Sequence, residues 1–356
     1  MPSDIGKKIR ISVFGESHGE GIGVVIDGLP HGLDIDMDSI CVQLSRRMPG
    51  KDNTSTPRIE LDIPDIKSGV LNNKTTGAPL CALFSNSDTH SSDYEQFIRF
   101  PRPSHADYTS MLRYDGYNDI RGSGHFSGRL TAPIVFAGAI CRSALAQKGI
   151  YIGGHVFQVG NVFDTPFDPV RVGKNELSEL SSRYFSVINQ KSEKAMRKLI
   201  ESVRDEGDSI GGVLEVAVCG FPAGIGNPMF EGIENEISRA VFGIPAVKGI
   251  EFGAGFGFAS MKGSEANDPF VYENFAVKTE KNNNGGILGG ISTGMPILFR
   301  TCVKPTPSIS KQQKTVDLKE KVNSIISIEG RHDPCILPRA LPVVEAACAV
   351  ALINFL

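Results

Sequence analysis

The seven cysteines, at 41, 81, 141, 219, 302, 335 and 348, are far apart, and none forms a C-x-x-C pair. That argues against a structural zinc site, and the odd count argues against a disulfide framework. A chain of 356 residues buries enough core to need no such staples. The cysteines read as small buried hydrophobes in a reducing compartment. The N-terminus shows no apolar leader, and no run approaches the roughly 18 apolar residues of a membrane span. The most apolar stretch, 340–356, is interrupted by Pro342, Glu345 and Asn354. A cytoplasmic protein without a membrane partner is therefore expected. Net charge is only −3, which gives no support for nucleic-acid binding and makes any positive pocket local. There is no G-x-G-x-x-G, no G-x-x-x-x-G-K-[ST] and no H-E-x-x-H, so the dinucleotide fingerprint, the P-loop and the zincin helix are excluded. No metal is expected.

What the chain does have is histidine set among Gly, Ser, Arg and Asp. Four of its seven histidines lie in such runs: G-E-S-H-G at 15–19, R-P-S-H-A-D at 102–107, R-G-S-G-H-F-S-G-R at 121–129 and G-R-H-D-P at 330–334. Each places a proton-transfer group beside cations, hydroxyls and a bendable backbone. That mixture suits acid–base chemistry on an anionic, phosphorylated ligand.

Residues 15–32 recur at 207–224. Gly15, Ser17, Gly19, Val24, Gly28, Pro30 and Gly32 pair with Gly207, Ser209, Gly211, Val216, Gly220, Pro222 and Gly224. The shared pattern predicts a strand closed by a Gly-x-Pro-x-Gly turn, at 23–27 and 213–219, then a helix near 38–47 and 231–241. A duplicated unit follows: one domain over 1–356, with halves of roughly 1–205 and 206–356 packed around a pseudo-symmetric core. The repeat also separates fold from chemistry. Ile210 stands where the first copy has His18, so the turn does not demand a histidine and His18 is marked as chemical. Elsewhere, 131–147 reads as a buried helix with Pro133 in its first turn, and 193–204 as a helix with one exposed face. The polar stretches 49–58 and 281–294 read as loops able to approach a ligand.

The glycine-rich turn at 122–128 runs straight into the buried helix, where converging N–H groups and the helix terminus attract anions. Arg121 and Arg129 add planar charge, and Ser127 also fits a simple helix cap. Lys304-Pro305-Thr306-Pro307-Ser308 offers a lysine and hydroxyls to a phosphate or ribityl chain, or is an ordinary proline-rich turn. Arg46 and Arg47 end a helix as dipole partners or anion clamps. In Arg331-His332-Asp333 the aspartate relays a proton, orients a base or caps a turn. G-E-S-H-G also fits the nucleophile elbow of serine hydrolases, but that elbow needs a helix directly after it, and a glycine-rich strand is expected here.

In chain order, GESHG, RRMPG, RPSHADY, RGSGHFSGR-x-TA, KPT-x-S and GRHDPC-x-x-PRA-x-P resemble the chorismate synthase family across essentially the whole chain. The resemblance implies an α+β fold, a β-α-β sandwich with helices between two antiparallel sheets, and a homotetramer. It implies a carbon–oxygen lyase that converts 5-enolpyruvylshikimate 3-phosphate to chorismate and phosphate, the last step of the shikimate pathway toward aromatic amino acids, using reduced FMN with no net redox change. Carried over by motif, His18, His105 and Asp333 are the catalytic residues, supported by Ser17 and Ser127. His125, Phe126, Ser127, Pro245, Ala246, Gly289, Lys304 to Ser308 and Arg331 contact FMN. Arg46, Arg47, Arg102 and Arg129 bind substrate or NADP. Family members differ in whether they reduce their flavin with NADPH or depend on a separate flavin reductase, and no reductase motif is visible. This chain departs from the family at His125, Phe126, Gly128 and Leu130, where R-S-S-A-R-E-T-A is common, and at Asn53, where a second arginine is common. The competing readings are a flavin electron carrier, which needs no cationic pocket, and a hydrolase using Ser17.

Overall fold

The structure, a computed structural model, describes residues 3–50, 52, 54–55, 61–87, 91–328, 330 and 332–356. One five-stranded sheet contains Asp4–Ile5 (β1), Arg10–Gly15 (β2), Gly21–Asp27 (β3), Asp65–Ser68 (β4) and Leu80–Ser85 (β5), in the order β1-β2-β3-β5-β4. Ile22, Val24 and Ile26 alternate along β3 and are fully buried, the period of two expected of a sheet with one face on the core. A second five-stranded sheet contains Tyr151–Val159 (β6), Val162–Phe163 (β7), Gly212–Cys219 (β8), Val247–Phe252 (β9) and Ile297–Val303 (β10), in the order β9-β10-β8-β6-β7. Every pairing in both sheets is antiparallel.

The helices are Met37–Arg47 (α1), Asp107–Arg113 (α2), Thr131–Gln147 (α3), Lys174–Leu180 (α4), Gln190–Asp205 (α5), Ile233–Phe242 (α6) and Leu337–Ile353 (α7). α3 and α7 pack on each other, α1 and α6 flank them, and α3 and α7 rest on strands of both sheets or of one. The result is an α+β sandwich with its helices between two antiparallel sheets, and one hydrophobic cluster runs through all three layers. A Cβ on Gly138 of α3 would lie 2.2 Å from the Cβ of Ala346 on α7, so the two helices meet backbone to backbone. Pro342 does not stop α7. It sits near the start, where its missing N–H forfeits a single intrahelical bond. By length and composition alone Gly128–Gln147 is apolar enough to cross a membrane, contrary to the reading of the sequence, but most of it is buried inside this fold.

The duplication is visible as topology. β2-β3-α1-β4-β5-α3 recurs as β6-β8-α6-β9-β10-α7, with the same strand neighbours. The repeated turn glycines have the same cause. Gly28 and Gly220 have φ of +86° and +79°, and a Cβ on them would lie 2.0 Å from the carbonyl oxygen of Lys8 and 2.1 Å from that of Gly149. Matched in this way, the second copy begins at Tyr151 and not at 206. The recurring sequence marks only the second strand of each copy, and β7, α4 and α5 are inserted between the first and second strands of the later one.

Candidate active site

The two longest excursions with histidines occupy the same place in each copy: between the fourth strand and the last helix, at 86–130 and 304–336. The two G-[E/D]-S-x-G turns brace them. Ser17 N donates to Gly124 O at 3.2 Å, and Ile210 N donates to Pro334 O at 2.8 Å. Ser209 Oγ donates to Thr306 O at 2.6 Å. The first turn joins β2 to β3 and no helix follows it, which removes the hydrolase elbow.

Arg102 knots the loops together. Its Nε and Nη2 donate to Asp107 at 2.8 and 2.7 Å, Nη2 also to Ser123 Oγ at 2.8 Å, and Nη1 to Ser308 Oγ at 3.2 Å. Its guanidinium lies over Phe97, 4.3 Å from the ring centroid. Lys304 Nζ donates to Ser104 O, and Lys304 N donates to Ala246 O at 3.0 Å. Ser104, Ser123 and Ala246 have φ of +60°, +70° and +72°. Backbone held in this region by a non-glycine residue costs energy and gathers at functional sites.

These loops enclose a cleft of about 680 Å³, within the range of small-molecule sites. His105, Asp333 and His125 supply its titratable groups, and Arg47, Lys248, Lys304 and Arg339 its cations. Phe126, Ile244, Val247, Ile336 and Val343 give it apolar surface. Thr306 Oγ1 is buried in this region without a hydrogen-bond partner among the described residues.

Asp107 Oδ1 lies 2.6 Å from His105 Nδ1, so that nitrogen donates and Nε2 is the atom left for a ligand. Burial pushes the His105 pKa down and Arg102 adds to this; the bond to Asp107 opposes them without prevailing. Burial raises the Asp107 pKa, but the bonds from Arg102 and His105 outweigh it and hold the carboxyl below its ordinary range. Lys304 is lowered by burial and then by the neighbouring charge of Lys248. Asp333 accepts from Arg339 Nη1, and Arg339 Nε donates to Arg47 O at 3.0 Å.

Other expected residues lie in or behind the wall. His18 is buried, edge-on to Tyr94 with centroids 5.1 Å apart, against the turn that carries Ser123. Ser127 Oγ accepts from Arg129 N at 3.3 Å, so it caps the short turn ahead of α3. His125 lies at 3.0 Å from Gly15 O through Nδ1 and at 2.9 Å from Ser3 Oγ through Nε2. Pro305 and Ser308 flank the wall residues Thr306 and Pro307, and Pro245 and Ala246 are in the wall. Gly289 lies in the turn between Ile287–Leu288 and Ile291–Ser292 and does not line this cleft. Arg331 and Asn53 lie outside the described residues.

Of the four expected arginines, only Arg47 reaches the wall. Arg46 is a buried partner of Glu345, at 2.6 and 3.1 Å, with Arg142 on the same carboxylate at 2.6 Å. Arg129 donates to Asp62, to Asn86 Oδ1 at 3.1 Å and to Ser85 O at 3.1 Å, and it does not line the cleft. The sequence reading missed Arg339, Lys248, Asp62 and Asp107. Arg339 and Asp107 stand inside the motifs at 330–342 and 102–108, whereas nothing local marks Lys248 or Asp62.

A family model for chorismate synthase matches residues 9–356. The chorismate synthase of Dehalococcoides mccartyi is 46% identical over 352 residues, covering 99% of this chain and 96% of that protein. That of Thermococcus gammatolerans is 46% identical over 351 residues, with 99% and 96% covered. That of Methanosarcina acetivorans is 46% identical over 347 residues, with 98% and 94% covered. A crystal structure of chorismate synthase superposes with a TM-score of 0.75 at 26% identity, covering 99% of this chain and 92% of that one. The matching motifs, the full-length relatives and the shared sandwich agree, and the chain belongs to the chorismate synthase family.

Proposed function

We propose that the cleft between the two loop insertions performs the chorismate synthase reaction, with 5-enolpyruvylshikimate 3-phosphate as substrate and reduced FMN as cofactor. The chain is then a carbon–oxygen lyase of the shikimate pathway, and residues 1–356 act as one catalytic domain. The observation that carries the reading is the joint presence of four cations, His105 and Asp333 in one cleft of about 680 Å³. A flavin electron carrier has no use for that cationic wall.

The residues fit FMN. The buried Thr306 hydroxyl has no protein partner among the described residues and lies beside Lys304, which suits a phosphate or ribityl oxygen. Phe126, Ile244 and Val247 offer apolar surface to a ring system. When bound, reduced FMN supplies electron density to a substrate whose C–H bond is too weakly acidic for a base alone, and takes it back. Arg47, Lys248 and Lys304 neutralise the departing phosphate, the main barrier to breaking the C–O bond. His105 holds and delivers a proton at Nε2, and Asp333, steadied by Arg339, receives the proton lost from the ring. His18 assists phosphate departure from behind the 122–123 turn, and Ser17 and Ser127 brace the loops around it. The apolar walls keep water out of the closed site.

A homotetramer is supported by large exposed apolar side chains, among them Phe275 at 95%, Phe230 at 86% and Phe256 at 85% exposure. Seven free cysteines support a reducing cytoplasm. The electrons for FMN come from NADPH through this chain or from a separate reductase, and NADPH oxidation by the purified protein with FMN separates the two. The deciding experiment measures phosphate release from the substrate under anaerobic conditions. Release only with reduced FMN is expected; equal release with oxidised FMN, or none with either, rejects the reading.

A further inference from the structure

Asp62 stands between Leu61 and Ile63, which are 58% and 67% exposed, yet its own side chain is fully buried. A carboxylate turned inward among exposed neighbours needs cations to offset its desolvation. It has two. Oδ2 accepts from Arg47 Nε at 2.7 Å and Oδ1 from Arg47 Nη2 at 2.9 Å, and Oδ1 also accepts from Arg129 Nη1. Burial pushes the Asp62 pKa up, but Arg47 and Arg129 outweigh it and hold the carboxyl below its ordinary value.

The allocation of donors gives Asp62 its role. It occupies the Nε–Nη2 edge of Arg47 in a two-point fork. Among the described residues, the remaining Nη1 meets only Gly128 O and Thr131 Oγ1, each at 3.4 Å, the outer limit of a hydrogen bond. Gly128 and Thr131 belong to the cleft wall together with Arg47. The loosely held edge of Arg47 therefore lies on the side of the cleft. Arg129 is fixed behind it by Asp62, Asn86 and Ser85, as a second positive charge. Among the described residues, the two guanidinium groups share this one carboxylate.

We propose that Asp62 is a positioning residue for phosphate: it fixes the plane of Arg47 so that Nη1 faces the substrate's phosphate group. The assignment rests on the cleft being the site of phosphate elimination. Without the carboxylate, two buried cations repel, and Arg47 loses the contact that orients it.

The test uses the full chain carrying Asp62→Asn or Asp62→Glu. KM and kcat are measured anaerobically with reduced FMN, alongside inhibition by inorganic phosphate and the melting temperature. For Asp62→Asn, KM and the phosphate inhibition constant are expected to rise about tenfold or more while kcat changes less than about threefold. Asp62→Glu is expected to recover part of the loss. A lower melting temperature with both constants within about twofold of the parent would mean a purely structural role and overturns the proposal. Tighter phosphate binding in Asp62→Asn would mean that Asp62 only dampens the positive field, and also overturns it. If Asp62→Asn does not fold, Asp62→Glu decides: it keeps the charge and displaces the fork, so a KM rise of about threefold or more supports the proposal and an unchanged KM overturns it. Arg47→Ala separates the two levels. If it too leaves KM unchanged, the reading of the cleft has failed; if it raises KM while both Asp62 variants do not, only the role of Asp62 has failed.

Discussion

Gly122 stands so close to His18 that a Cβ built on it would lie 2.2 Å from Cδ2 of the imidazole. The glycine also has a φ of +59°, so any L side chain there is strained. The turn and the histidine are thus fitted to each other, and the turn continues into Ser123, which Arg102 holds. Gly122→Ala is expected to push the ring aside and lower kcat by about tenfold or more, approaching the roughly 10²-fold loss expected for His18→Ala. FMN affinity should change little. Turnover of Gly122→Ala equal to the parent would show that the position of His18 is not needed.

Asp107 is expected to set the proton affinity of His105 as well as its orientation. The His105 pKa is already lowered, first by burial, and the bond to Asp107 is what restrains the fall. Asp107→Asn removes the charge that favours imidazolium, so the pKa falls further. With His105 as the proposed proton donor, the alkaline limb of kcat against pH should move to lower pH, with a loss at neutral pH of about tenfold or more. A pH profile that keeps its shape and only drops in height would assign Asp107 to loop folding alone.

The strands at 23–27 and 213–219 and the helix at 131–147 were legible because period and turn chemistry are local. The pairing of the two copies was legible in Gly28 and Gly220 for the same reason. What escaped depends on partners brought together by the fold. The sequence presents Arg46 and Arg47 as equals, but consecutive helical residues point in different directions, one to Glu345 in the helix layer and the other to the cleft. Asp62 acquires meaning only through Arg47, 15 residues earlier, and Arg129, 67 residues later. His155 lies outside every polar histidine run, and only strand pairing sets it opposite Glu215.

Glu345 is fully buried on α7 and receives both Arg46 and Arg142. Burial raises its pKa, but the two arginines outweigh that and keep it ionised. Glu345→Gln leaves two buried guanidinium groups without their anion, which is expected to cost about 3–5 kcal/mol of stability. Since Arg46 does not reach the cleft, KM per folded molecule should stay within about twofold of the parent. Denaturant midpoint and KM measured on one preparation check both halves. A large KM rise without loss of stability would return Arg46 to the substrate.

His155 is bonded on both sides inside the second sheet, with Nδ1 2.9 Å from Asp164 and Nε2 2.9 Å from Glu215. Glu215 stands opposite His155 and Arg300 in register, as Gly23 stands opposite Phe14 and Leu83 in the first sheet. The repeat thus supplies the pairing and this copy supplies the charges. A neutral imidazole can donate from only one nitrogen, so two carboxylate partners require the imidazolium. Burial opposes that charge, but Asp164 and Glu215 outweigh it and raise the His155 pKa. A pKa raised on folding stabilises fully below the unfolded value, about 6.5, and the contribution is lost as pH rises through the folded value. Asp164 and Glu215, lowered on folding, contribute above their ordinary range near pH 4, so they stay ionised across the same interval. His155→Gln takes the cation from Asp164 and leaves Glu215 with Arg300 alone, and is expected to cost about 3 kcal/mol or more near pH 6. The gap in stability between parent and variant should be widest around pH 5.5 to 6.5 and narrow at higher pH. Melting curves from about pH 5.5 to 9 on both proteins measure it. A gap that stays constant or widens with pH would mean that His155 is neutral in the folded protein and that one of its carboxylates carries the proton instead.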